Sequence, residues 1–411
     1  MTVSARFATA LLGLVLVPAL ASGQEIPRPP LALVHANVLD VRTGKVAADM
    51  TLVLRDGRIE SVAAKAPPAG LKTVDLKGKY VVPGFIDAHV HISGLAAARL
   101  ALESGVTTAR SAGVSDYHDV GLRELARKGA IAGPDFAAAG YHVRPRLAEE
   151  AFLSDTVLWT LMPGVDSAEK IRQVVRVILG HGVDWIKVLA TERAGTADTD
   201  PRKQMYTEEE LRACVEEASA REVPVLAHAH GDEGAIAAVR AGARSIEHGT
   251  YLSDSTLRLM KEKGTFLVPT YTTVIDLAEP GGDYDVPALR IRGMHMLPRI
   301  RQTVEHAHRI GVRIVAGSDT GYGPNSLTRI PQEIVNLATL GLTPLEAIQS
   351  ATTTAAELLR IEKSAGAIEP GLEADLVVVE GNPLENLVVL QDPLLVVSNG
   401  RVAVNRLGFG K

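Results

Sequence analysis

Apolar and polar positions follow two rhythms along this chain. Near the start the period is close to two, and residues 31–38, 51–55 and 59–63 read as short strands, the last two separated by Asp56-Gly57. An Asp-Gly pair between β-rich runs is a strong hairpin signal, because both turn positions need φ > 0. The C-terminal end repeats this style, with strands expected at 375–380, 394–398 and 402–404 and turns at Gly381-Asn382-Pro383 and Asn399-Gly400. Two all-β ends around a different middle point to a small β-sandwich built from both termini, residues 24–80 with 362–411. In the middle, apolar runs suited to buried strands alternate with helical segments. Strands are expected at about 81–92, 106–110, 135–140, 183–190, 224–230, 245–250, 265–272 and 313–319. The helix at 207–221 opens on Thr207 and Glu210, the pattern of a capping box. Eight strand–helix repeats are the number that closes a barrel. The expected fold class is therefore α/β, a (β/α)₈ TIM barrel over 81–361 with the terminal β-sandwich beside it. The long polar segments 142–166, 191–206, 273–288 and 320–330 all follow strands, the side on which such barrels carry their active sites.

Composition narrows the class further. A chain of 411 residues, 46% hydrophobic and 22% charged, can bury a large core. No internal apolar run approaches the ~20 residues of a membrane span. The first 23 residues stand apart: Arg6, an apolar stretch over 7–20 and the small-residue end Ala19-Leu20-Ala21 predict a cleaved signal peptide and export to periplasm or medium. Its removal takes away only Arg6 and moves the formal net charge from −5 to −6. A mildly acidic chain without a basic tract argues against nucleic acid as a partner. The single cysteine, Cys214, cannot form an internal disulfide, and its place in a helix suits the core.

The chemistry gathers where strands end. In Asp87-Ala88-His89-Val90-His91, residues two apart share a face, so His89 and His91 point together into the barrel. Two neutral imidazoles converging on one point can grip a metal, although strand histidines also occur exposed. His228, His248 and Asp319 each close another expected strand on the same rim. Lys187 sits inside the apolar run Val183–Leu189 and allows two readings. In one it faces the helix layer and snorkels outward. Otherwise its neutral amine adds CO₂ to give a carbamate whose two oxygens can bridge two cations. His306 and His308 lie two apart on a helix and do not share a face, and His35 and His118 fall outside the rim. No Gly-x-Ser-x-Gly, phosphate-cradling Gly-rich loop or His-Glu-x-x-His is present.

The order Pro83-Gly84-Phe85-Ile86-Asp87-Ala88-His89-Val90-His91, then Lys187, His228, His248 and Asp319, resembles the amidohydrolase superfamily in its binuclear branch. Residues 370–377, Pro-Gly-Leu-Glu-Ala-Asp-Leu-Val, resemble that superfamily's return into the terminal sandwich. The neighbouring residues are most similar to the Xaa-Pro dipeptidase (imidodipeptidase) and ochratoxinase group, which cleaves amides of C-terminal amino acids. The resemblance implies that His89 and His91 hold the more buried metal with Asp319, that His228 and His248 hold the second, and that carboxylated Lys187 bridges them. His230 competes with His228, since both share a strand face. It further implies Asp319 as the proton carrier, with Tyr251 and His142 as donors to the scissile carbonyl oxygen. Two divalent ions, Zn²⁺ foremost, are the expected cofactors, and a homo-oligomer is the expected assembly.

A C-terminal amino acid needs a cation for its carboxylate. Arg144 and Arg329, with Arg146 and Arg193, lie on the expected active-site loops. Phe152, Leu153, Trp159, Leu161 and Met162 either line an apolar pocket or pack the third loop onto the barrel. Two other readings stay open: a lactonase or cyclic amidase using the same centre, and an inactive barrel serving as a binding or scaffold protein.

Overall fold

A computed structural model describes residues 28–408; the expected signal peptide lies outside the described residues. Strands β1 (Leu31–Asp40), β2 (Lys45–Arg55) and β3 (Arg58–Ala63) form an antiparallel meander. Asp56 and Gly57 hold φ of 51° and 80°, as a two-residue hairpin requires. With β4 (Lys72–Asp75), β5 (Tyr80–Pro83), β13 (Leu376–Val379), β14 (Leu395–Ser398) and β15 (Arg401–Asn405), the meander makes one eight-stranded sheet. The expected sandwich is thus one continuous sheet. The register of β1 with β2 breaks between Leu33 and Ala36, and β1 pairs with β4 over its first residues and with β5 further on. Leu33, Leu52, Val81, Leu376 and Val397 bury a separate core beneath this sheet.

The single strand expected at 81–92 is two: β5 belongs to the terminal sheet and β6 (Phe85–Val90) to the barrel. Between them stands Gly84, where a Cβ would meet Thr107 Oγ1 at 2.2 Å. The barrel strands β6, β7 (Val106–Ser111) and β8 (Asp135–Ala137) are parallel, as are β9 (Ile186–Leu189), β10 (Val225–Ala229), β11 (Ser245–His248) and β12 (Phe266–Val268). One gap in the ring is bridged by Val143, which donates to Lys187 O at 2.8 Å and accepts from Leu189 N at 3.0 Å. The other is filled by residues 313–320, held by Val315 N to Leu267 O at 2.9 Å and by Asp319 N to His89 O at 2.8 Å.

Those residues form no regular strand, for a visible reason. Ser318 N donates to the buried Asp87 carboxylate at 2.9 Å rather than to a neighbouring strand, and Gly317 packs so closely on His89 that a Cβ would lie 2.8 Å from its Cβ. The third strand is shortened likewise, because Asp119 captures the N–H groups of Ala139 and Gly140 at 2.8 and 3.0 Å. The helix Glu208–Ser219 has the expected reciprocal capping box and buries Cys214, whose thiol burial pushes up to about 12. No helix among the described residues is long and apolar enough to cross a membrane.

Candidate active site

The strand ends bring most of the predicted site together in one cleft, lined by His89, His91, His142, Lys187, His228, His248 and Asp319. Asp319 Oδ1 lies 3.4 Å from His89 Nε2 and 3.1 Å from His91 Nε2. Lys187 Nζ is 3.5 Å from His89 Nε2. On the other side the rings of His228, His230 and His248 stand with centroids 4.5 to 4.9 Å apart.

The imidazoles are aimed by their second nitrogens. His89 Nδ1 faces Glu247 at 2.6 Å and His91 Nδ1 faces the Gly113 carbonyl at 2.7 Å, so each Nδ1 carries the proton and Nε2 presents a lone pair to the cleft. His228 is reversed, with Nε2 on the Glu192 carbonyl at 3.2 Å and Nδ1 without a hydrogen bond among the described residues. His230 and His248 turn Nδ1 to the hydroxyls of Thr250 and Thr270 at 2.8 and 2.7 Å. Burial drives His89, His228 and His248 well below the usual imidazole range and His230 down to about 3, so all four are neutral. Burial also pulls the Lys187 ammonium down to about 8. Burial alone would raise the Asp319 carboxyl, but His89 and His91 beside it hold it well below the carboxylate range. Neutral imidazoles, a carboxylate and a lysine near neutrality make a donor set that fits divalent cations. His89, His248 and Asp319, and separately His228, His230 and His248, each bring ligand atoms within 4.8 Å of one another.

Backbone strain concentrates at this rim. His248, Thr270 and Asp319 hold φ of 73°, 49° and 49°, a region that side-chain-bearing residues rarely adopt. Gly113, at φ 109°, leaves the space that His142 fills; a Cβ there would lie 2.4 Å from the imidazole. Under the cleft Arg110 and Glu247 form a fully buried ion pair at 2.8 Å, and Arg110 also donates to Ala88 O and Ser245 Oγ at 2.6 and 2.9 Å. The pair fixes the carboxylate that orients His89. Sequence reasoning passed over Arg110 and Glu247, although each is a charge inside an expected barrel strand, as Lys187 is. It also passed over Tyr284, which lines the cleft from the loop after the seventh barrel strand.

The other expected residues divide between the cleft and positions outside it. His142 lines the cleft with Nε2 on the Ala112 carbonyl at 3.0 Å. Tyr251 does not line it; its hydroxyl meets His295 Nδ1 at 3.2 Å. Arg329 is turned away, its guanidinium spent on the carbonyls of Thr328 and Gly323 at 2.9 and 2.7 Å. Arg144 borders two adjoining cavities, and Arg193 lines both of these and the cleft itself. The apolar pocket considered for the third loop does not form: Leu153, Trp159 and Met162 are exposed, and Leu161 packs into the core. His306 and His308 are half-buried and pair with Asp254 and Glu346 at 3.1 and 3.3 Å, away from the cleft.

A parallel barrel with imidazoles, a carboxylate and a lysine at its strand ends defines the class as a barrel hydrolase. Residues 80–403 match the Amidohydrolase family. The chain belongs to that family and is a hydrolase acting on amide bonds. It is 29% identical over 409 residues to the ochratoxinase of Aspergillus niger, covering 88% of this chain and 84% of the relative. Its fold is similar to a Xaa-Pro dipeptidase solved with methionine bound in the active site, with a TM-score of 0.82, 28% identity and coverage of 91% and 99% of the two chains. The crystal structure of the Aspergillus niger ochratoxinase is similar as well, with a TM-score of 0.78, 26% identity and coverage of 93% and 97%.

Proposed function

We propose that this chain is a metal-dependent amidohydrolase that cleaves the amide bond of a C-terminal amino acid, in a dipeptide such as Xaa-Pro, an N-acyl amino acid or an ochratoxin-like amide ending in phenylalanine. The observation that carries the reading is the convergence of His89, His91, Lys187, His228, His248 and Asp319 on one cleft, with His89, His228 and His248 neutral and the imidazoles held by their second nitrogens. His89, His91 and Asp319 would hold one divalent cation and His228 and His248 the other, with Zn²⁺ the foremost fit to imidazole and carboxylate. Lys187, as a neutral amine, would add CO₂, release a proton and serve as the bridging carbamate. Such a pair of cations supplies an acidified water and polarises the scissile carbonyl. Asp319, ionised and beside the reacting space, takes the proton of the attacking water and returns it to the departing amine. A tyrosine, and His142 once its Nε2–H leaves the Ala112 carbonyl, would supply hydrogen bonds to the developing oxyanion.

The relatives support the substrate class, since the ochratoxinase and the Xaa-Pro dipeptidase are named for cleaving such amides and the latter holds an amino acid in its active site. The test is hydrolysis of N-acetyl-L-phenylalanine and of Xaa-Pro dipeptides before and after chelation. Cleavage that a chelator abolishes and divalent ions restore is the expected result. Cleavage indifferent to chelation would overturn the metal dependence, and hydrolysis of lactones alone would overturn the substrate class.

A further inference from the structure

Resting on that reading, we propose that Arg193 binds the free carboxylate of the substrate's C-terminal residue and that Arg292 is the positioning residue holding it over the cleft. Arg193 stands where the cleft meets two adjoining cavities, one shared with Leu189 and Met205, the other with His91 and His142. Its guanidinium has no hydrogen bond or ion pair among the described residues. The acids on its loop are already taken: Glu192 pairs with Lys203 at 2.7 Å and Asp200 with Arg202 at 2.9 Å. Arg144 borders the same two cavities near enough for the two charges to repel, and an anion seated between them relieves that repulsion.

The chemistry of the leaving group selects this arginine over the others. The carboxylate of a C-terminal residue is one carbon away from the scissile nitrogen, so its anchor must stand on the wall of the reacting cleft. Arg193 does and Arg329 does not. A planar guanidinium matches two carboxylate oxygens with two parallel N–H donors.

The loop that carries Arg193 is held from outside. Arg292, on the helix Pro287–Ile310, donates to the carbonyls of Ala194 and Thr196 at 2.6 Å each and Ala197 at 3.1 Å, and also to Thr199 O. Thr199 Oγ1 in turn donates to the Arg193 carbonyl at 2.5 Å. Tyr284 covers Gly195, where a Cβ would lie 2.7 Å from its ring. A half-buried guanidinium spent on the polar groups of one loop fixes that loop's shape, and with it the direction of Arg193.

The experiment compares N-acetyl-L-phenylalanine with N-acetyl-2-phenylethylamine, the same amide without the carboxylate, on the metal-loaded enzyme. Wild type should prefer the first by about 100-fold or more in kcat/KM. Arg193→Met should raise KM for the first compound by about 10–100-fold and erase most of the preference, with Arg193→Lys recovering part of it. Arg292→Met should shift KM in the same direction; a loss confined to thermal stability would make Arg292 merely structural and overturn its part. A preference retained in Arg193→Met overturns the anchor while leaving the amidase reading intact. If wild type cleaves neither amide the amidase reading fails, and calorimetric binding of N-acetyl-L-phenylalanine then decides the anchor. Affinity at least about tenfold weaker in Arg193→Met supports it, and equal affinity, or no binding to wild type, overturns it.

Discussion

Both ends of the barrel hold a close trio of ligand-type groups, and they use them differently. At the mouth His89, His248 and Asp319 bring ligand atoms within 4.8 Å, and so do Asp135, Glu373 and Asp375 at the other end, where barrel meets terminal sheet. The neighbours at the mouth are neutral imidazoles, and Asp319 is held ionised. At the base, burial raises all three carboxyls, while the charges of Arg28, Arg127, Arg401 and Arg58 oppose that rise. Asn399 ties the base together, donating its backbone N–H to Asp375 at 2.7 Å and its side chain to Asp135 at 2.9 Å. Proximity of acids therefore does not define a cation site; the charge state of the surroundings does. Arginines make the base a structural knot, and lone pairs facing an open cleft give the mouth a donor set that fits cations.

That contrast can be broken most severely at Asp319. Asp319→Asn should lower kcat by about 10²–10⁴-fold with the fold intact by circular dichroism. A variant with near-wild-type turnover would remove Asp319 from proton transfer. Next in size is the phenol at the cleft. Tyr284 has no hydroxyl partner among the described residues, and Asp319's charge followed by burial keeps it protonated. Tyr284→Phe should cost about 10²-fold in kcat, and more than Tyr251→Phe. The reverse ranking would mean that Tyr251 leaves His295 and turns inward when substrate is bound.

Glu247→Gln sharpens the comparison from below. It replaces one of the two carboxylate oxygens shared by His89 and Arg110 with an amide donor, weakening the hold on His89, and leaves Arg110 buried without its counter-charge. Metal affinity should fall by about 10–100-fold, and stability by about 3–5 kcal/mol in denaturant unfolding. Unchanged metal affinity would mean that His89 needs no orienting partner.

The smallest effect belongs to the base. Asp375 is an acid whose folded-state pKa burial raises well above 3.8, so the folded state holds its proton longer than the unfolded chain does. Its contribution to stability is complete below that ordinary value and is lost as pH rises through the folded pKa. Asp375→Asn should therefore flatten the fall of Tm with rising pH and leave kcat and metal content unchanged. Loss of a bound metal in this variant would erase the distinction between the two ends.

Much of the mouth is legible in the chain because the strand period is short and strict. His89, His91, His228, His248 and Asp319 each close an apolar run, so their common rim follows from counting strands. The hairpin at Asp56-Gly57 is legible for a related reason, since both residues tolerate positive φ. The positive φ at His248, Thr270 and Asp319 has no such local signal; packing around the rim imposes it. Likewise, nothing local tells that Ser318 gives its N–H to Asp87 and so frays the eighth strand, or that Arg329 spends its guanidinium on its own loop. Loop arginines look alike in sequence. Only the partners each one finds separate Arg193 from Arg329.

The central claim is that the mouth is a two-cation centre bridged through Lys187, and metal content per chain tests it most directly. Elemental analysis should find about two divalent ions per chain in wild type, and about one or fewer in Lys187→Ala, with amide hydrolysis lost in the same samples. No metal in wild type, or equal metal and equal rate in Lys187→Ala, would contradict it.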